Sequence, residues 1–248
     1  MNHISVIQWV CGALAVIATL VGLGFFTRAC LTIANRFRLG APVDRQRLHP
    51  VGKRLKTLLV KVLCHQDFKG RPWIRLAHWL VMVSFPILFF TLVTGYAQIF
   101  SPDWALPLIG HFPPWEWLVE FIALASTIAI IGLIVVRSVN TAHGRKSRFT
   151  GSTRWQARFV EATIVAVVGC VDLLRVAESA WLSAAQHEQS ASWVHFPIFG
   201  WLGRPLGQGA NPETLANVIA VLALVKILCS MTWFVIVGLQ PSMGVAWH

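Results

Sequence analysis

The stretch that decides the fold is AHWLVMVSFPILFFTLVTGYAQIF, residues 77–100, a run without one Lys, Arg, Asp or Glu. A hydrocarbon core about 30 Å thick takes roughly 20 helical residues to cross. Runs of the same kind lie at about 4–27, 116–137, 159–183 and 214–240, and the five together take up about half of the 248 residues. In lipid a backbone must satisfy its own hydrogen bonds, so each run is expected as a helix. No period-2 alternation points to a barrel. The expected fold is an all-α integral membrane protein, a five-transmembrane-helix bundle forming one membrane domain over 1–248.

Composition agrees with that reading. The chain is 56% hydrophobic and 12% charged, with a mean hydropathy of +0.63, which excludes an ordinary cytosolic globule, a disordered chain and a disulfide-stapled module. Its cysteines, Cys11, Cys30, Cys64, Cys170 and Cys229, are odd in number, scattered and without a CxxC pair. A zinc knuckle or an iron–sulfur cluster held by this chain in a common spacing is thereby excluded. The first run lacks a basic leader and is too long for a signal peptide.

The net charge of +11 is a topology signal. Segment 28–75 holds twelve Lys and Arg and segment 137–158 holds six, so 18 of the 21 fall in two non-adjacent connections that must share one side. Positive residues stay in the cytoplasm, which puts the N-terminus outside, the C-terminus inside, and the chain in the inner (cytoplasmic) membrane as a multi-pass protein. The charge therefore gives no reason to expect a nucleic-acid partner; the expected contact is membrane lipid. Tryptophans agree, with Trp73, Trp79, Trp155 and Trp247 near the inferred inner boundary and Trp104, Trp115, Trp117, Trp181, Trp193 and Trp201 near the outer one. In 50–64, Val51, Leu55, Leu58, Leu59, Val62 and Leu63 recur at helical spacing among Lys53, Arg54, Lys56 and Lys61. That pattern predicts an interfacial helix on the anionic inner leaflet, with a docking surface for a soluble partner as the alternative.

Ionisable residues within the runs need a reason, because burying charge in lipid is costly. Asp172, Arg175 and Glu178 lie at i, i+3 and i+6 in the fourth run, and Lys226 lies in the fifth. Asp172 and Lys226 are near mid-depth, and an interhelical Asp172–Lys226 pair is expected, extended outward by Arg175 and Glu178. Such a group would either order the bundle or serve a proton or a quinone. Two histidines have unusual places. His78 opens the second run, and His248 is the last residue, seven past Pro241. If the fifth run continues through a kink at Pro241, both reach the inner membrane face. Two imidazoles at one depth can ligate one b-type haem; ordinary interfacial histidines are the alternative.

The string His78-Trp79-Leu80-Val81-Met82-Val83-Ser84-Phe85-Pro86 runs on to Thr94-Gly95-Tyr96, Trp104-Ala105-Leu106-Pro107 and Pro113-Pro114-Trp115-Glu116. Much later come Trp233 and Pro241-Ser242-Met243-Gly244-Val245-Ala246-Trp247-His248. This pattern resembles the N-terminal membrane domain of heterodisulfide-reductase-like iron–sulfur oxidoreductases, above all those that oxidise electron-transfer flavoprotein and reduce quinone in fatty-acid β-oxidation. Such domains are similar to the five-helix cytochrome b (gamma) subunit of nitrate reductase. The resemblance implies haem-iron ligands at His78 and His248, with Arg71 and Arg75 near the haem propionates. Where a second, outer haem would need histidines, this chain has Leu88-Phe89-Phe90 and none in its fifth run. A second haem or a quinone contact would then fall to His111 or His195. The resemblance also implies a cytoplasmic domain holding [4Fe–4S] clusters, after residue 248 or on a separate chain.

The expected function is thus a membrane electron-transfer module, part of an enzyme but not a complete one. It would pass electrons from reduced electron-transfer flavoprotein, through iron–sulfur clusters and b-type haem, to membrane quinone. A haem-free membrane anchor for a soluble dehydrogenase is the first rival, in which both histidines are dispensable. A small transporter lined by Asp172, Arg175, Glu178 and Lys226 is the second, and it lacks the paired broken helices such proteins carry.

Overall fold

The computed structural model describes residues 4–40, 49–64, 70–144, 154–187 and 190–240. Every regular element among them is a helix: α1 (Val6–Arg38), α2 (Val51–Cys64), α3 (Pro72–Gln98), α4 (Pro113–Ala142), α5 (Arg154–Ala184), α6 (Gly200–Gly207) and α7 (Pro212–Leu239). Helix starts follow local chemistry. Proline stands in the first turn of α3, α4 and α7, where its missing N–H costs nothing. Ser5 and Gln8 close a capping box on α1.

Four helices, α1, α3, α4 and α7, are long and apolar enough to cross a membrane. Each outruns the apolar segment expected from sequence at one or both ends, because helix propensity continues past the lipid boundary into the flanking residues. Helix α5 covers the expected 159–183 segment and is 31 residues long, but it carries Arg154, Arg158, Glu161, Asp172, Arg175 and Glu178. The short α6 lies between α5 and α7, outside the five expected runs. The expected 50–64 helix is present as α2. It makes none of the packed interfaces that join the others, and its leucines and valines are about half exposed.

Helix α7 is the hub, packed on α1, α5 and α3, while α4 joins α3 to α5 and α6 lies on α5. Helices α1 and α7 run parallel. Ser5 meets Asn217 near their starts, and Gly22 lies against Met231 further along. Near the end of this pair, Gly238 approaches Phe25 so closely that a Cβ would stand 2.6 Å from the Phe25 carbonyl carbon. Only glycine permits that backbone approach, the usual device where helices associate without a hydrophobic drive.

Exposure is inverted relative to a protein in water. Leu20, Phe121 and Ile128 are 64–69% exposed, while Glu120 is fully buried and Lys226 is 1% exposed. Many large apolar side chains face outward along the long helices, while Glu116, Glu120, Arg175, Glu178 and Lys226 face inward. That distribution suits lipid as the surrounding solvent.

Candidate functional site

The polar residues gather at the end of the bundle where α3 finishes and α4 begins. Helix α4 contributes Glu116 in its first turn and Glu120 one turn on, the i and i+4 positions of one face. Helix α5 brings Arg175 and Glu178, again one turn apart. Arg175 donates through Nε to Glu120 Oε1 at 3.1 Å, through Nη1 to Glu178 Oε2 at 3.0 Å, and through Nη2 to the His195 carbonyl at 2.6 Å. Its guanidinium also lies 4.0 Å from the centre of the Phe196 ring. Glu120 Oε2 accepts from the backbone N–H of Ile198 at 2.8 Å and of Phe199 at 3.2 Å. A buried charge is tolerable when every donor and lone pair is met in this way. The cluster ties the 190–199 connection to α4 and α5, helped by Trp117 Nε1, which donates to the Val194 carbonyl at 2.6 Å.

Glu116 points the other way. Its Oε2 is 2.6 Å from His195 Nδ1, and its Oε1 is 3.9 Å from His111 Nδ1. Glu116 is buried, whereas the His195 and His111 side chains are 27% and 66% exposed. Behind Glu116 lies a cavity of about 60 Å³, lined among others by Thr91, Thr94, Gln98, Glu178, Arg175 and Lys226. Lys226 Nζ donates to the Thr91 carbonyl at 2.7 Å, and the missing side chain of Gly95 leaves room for its ammonium, 3.2 Å from where a Cβ would be.

Against the expected sites, the outcome is mixed. The Asp172–Lys226 pair does not form. Thr127 Oγ1 donates to Asp172 Oδ2 at 2.7 Å, and Lys226 bonds the α3 backbone instead. A hydroxyl on α4 meets one oxygen of Asp172, leaving Oδ1 buried without a hydrogen-bond partner, and a carbonyl on α3 takes Lys226. Arg175 and Glu178 do pair, but with Glu120 as the third member. His111 and His195, taken from sequence as contacts for a second haem or a quinone, both turn Nδ1 to one carboxylate. His78 is half-buried near the start of α3, and Arg71 and Arg75 are exposed beside it. Helix α7 ends at Leu239 with Gln240 extended, so it does not run unbroken into Pro241; His248 lies outside the described residues. No group of three or more His, Cys, Asp or Glu suited to a metal ion occurs among the described residues.

Sequence reasoning missed Glu116 and Glu120 as functional residues. Their signal was present, two carboxylates four apart at the head of an apolar run. Placing the run's start at 116 assigned them to the interface and hid it.

Comparisons with protein-family models, with curated proteins and with solved structures give no match.

Proposed function

We propose that this chain is the membrane electron-transfer module of a quinone-linked oxidoreductase. Electrons from reduced electron-transfer flavoprotein reach it through [4Fe–4S] clusters held after residue 248 or on a separate chain, and leave to quinone in the bilayer. The observation that carries this reading is the stripe at the start of α3: Arg71, Arg75 and His78 are spaced four and three apart, on one face. An imidazole half out of solvent suits a haem iron, and two exposed guanidinium groups within two turns suit its propionates. His248 is the second ligand by resemblance. Bound haem would supply a one-electron carrier at the membrane face.

In this reading α5 is the fifth crossing. Its mid-helix charges meet Glu120 and Thr127 on α4 and one another, which lowers the cost that its composition suggests. Segments 28–75 and 137–158 hold 18 of the 21 Lys and Arg, and the ends of α1 and α4 and the starts of α3 and α5 within them lie opposite the Glu116 cluster. The positive-inside rule then puts that basic end in the cytoplasm and the N-terminus outside. Helix α2 rests its apolar stripe on the anionic leaflet there. The cavity beside Lys226 has room for about four waters, too few for a quinone ring. Its part is to hydrate the polar cluster, and the ring docks against the bundle from the lipid side.

The test is spectroscopic. Chain expressed with haem supplied should show a b-type reduced-minus-oxidised difference spectrum, lost in His78→Ala and kept in Arg75→Gln with a shifted potential. A haem-free preparation under those conditions would leave the anchor reading in its place.

A further inference from the structure

We infer that Glu116, with His195 and His111, is a proton relay between the aqueous phase at the α3–α4 end and the cavity beside Lys226. The inference rests on the proposed quinone reduction only for the consumer of the protons, since a quinone that takes two electrons must take two protons to become the quinol.

The geometry gives the path in order. His195 is part-exposed and its Nδ1 is 2.6 Å from Glu116 Oε2, inside the range for direct proton transfer. His111, more exposed, faces the other oxygen of the same carboxylate at 3.9 Å, a gap one bridging water closes. Glu116 in turn lines the cavity with Glu178, Arg175 and Lys226. Among the described residues it is the one that both contacts the two rings and lines this half-open cavity.

Charge balance points the same way. Three carboxylates, Glu116, Glu120 and Glu178, surround two fixed cations, Arg175 and Lys226. Glu120 and Glu178 take Arg175 directly, and Lys226 spends a donor on the Thr91 carbonyl. Glu116 is the third carboxylate; its nearest ionisable atoms are the ring nitrogens of His195 and His111, with Arg175 and Glu178 also within electrostatic reach.

The transfer balances as follows. A neutral His195 carrying its proton on Nδ1 takes a proton from water at Nε2, the imidazolium gives its Nδ1 proton to Glu116 Oε2, and the ring returns to its first tautomer by turning over or by exchange through water. The protonated carboxyl passes its proton to cavity water beside Glu178 and Lys226, and returns to carboxylate. That water delivers the proton to a reduced quinone oxygen.

The test uses the full chain in liposomes, haem reduced by dithionite, then mixed with a short-chain benzoquinone. Haem oxidation and proton uptake by the medium are followed together. His195→Ala should slow both by roughly 100-fold, the usual scale for a lost proton-transfer group, and added imidazole should restore much of the rate. Glu116→Gln, close to isosteric, should slow both without imidazole rescue. Unslowed rates, or slowing in His195→Ala that imidazole does not relieve, would overturn the relay and leave the contact as a loop pin. If reduced protein passes no electrons to quinone, the electron-transfer reading fails on its own account. The relay is then decided by nitrogen NMR of labelled histidine in lipid discs. A His195 ring that changes protonation state between about pH 5 and 8, with a step that moves in Glu116→Gln, sustains it. A ring fixed in one state across that range overturns it.

Discussion

Arg175 on α5 and Glu120 on α4 form a charge-assisted contact at 3.1 Å, with the carboxylate fully buried and the guanidinium side chain 9% exposed. Glu120 spends its second oxygen on two backbone N–H groups of the 190–199 connection. One carboxylate therefore joins two long helices and a loop, and the polar end of the bundle is organised around it.

Removing Glu120 leaves Arg175 with Glu178 as its one carboxylate partner and strands the Ile198 and Phe199 N–H groups. Glu120→Ala is expected to lower stability by about 3–5 kcal/mol, the scale for breaking a buried pair. Glu120→Gln, which keeps an acceptor for those N–H groups, should cost less. Thermal unfolding in detergent measures both, and a Gln variant as unstable as the Ala variant would deny that the backbone contacts contribute.

Lys226 should behave in the opposite sense. Its ammonium bonds a carbonyl that the α3 helix also engages, so Lys226→Met strands no buried acceptor. Replacing a buried charge by an apolar side chain of like volume is neutral or stabilising by about 1–4 kcal/mol. The variant should melt at or above the temperature of the unsubstituted chain. Quinone reduction should nonetheless fall, because the cavity loses its fixed cation. A large drop in melting temperature would mean that the lysine is structural.

Gly238 tests the parallel α1–α7 pair. A Cβ there meets Phe25 backbone at 2.6 Å, and backbone cannot turn aside as a side chain can. Gly238→Val is expected to cost about 1–3 kcal/mol through overpacking, seen as a lower unfolding temperature. Gly132→Val on α4, where nothing lies within 4 Å, should cost much less and serves as the comparison.

Orientation is open to chemical labelling. Leu108 is fully exposed in the α3–α4 connection and Gly144 follows α4 at the opposite end. In a chain with its own cysteines replaced by serine, Leu108→Cys should react with a membrane-impermeant maleimide added to intact cells. Gly144→Cys should react only after the membrane is opened. The reverse pattern would invert the proposed topology.

Much of the architecture was legible in the residue order, for a physical reason. Lipid demands long apolar helices, and that demand is written locally: the 77–100 run, and the Lys/Arg clusters that bracket α1 to α3. Helix α5 was legible as a helix although charge dilutes its apolar signal. The site was less legible. Asp172 and Lys226 looked like partners because both are charged and lie near one depth. Depth, however, says nothing about which way a side chain turns, and Thr127 and Thr91 were nearer. Glu116 and Glu120 sat at a boundary where sequence cannot separate an interfacial carboxylate from a buried one.

Sequence by itself determined that this is a chain of long apolar helices suited to a membrane, with its basic residues gathered in two stretches, because hydropathy and charge act over a few consecutive residues. Only the tertiary structure decided that Arg175 is shared between Glu120 and Glu178, and that His195 and His111 converge on Glu116. Those contacts join positions 55 and 79 residues apart. What brings them together is the packing of α4 and α5 and the loop they hold, which no local pattern records.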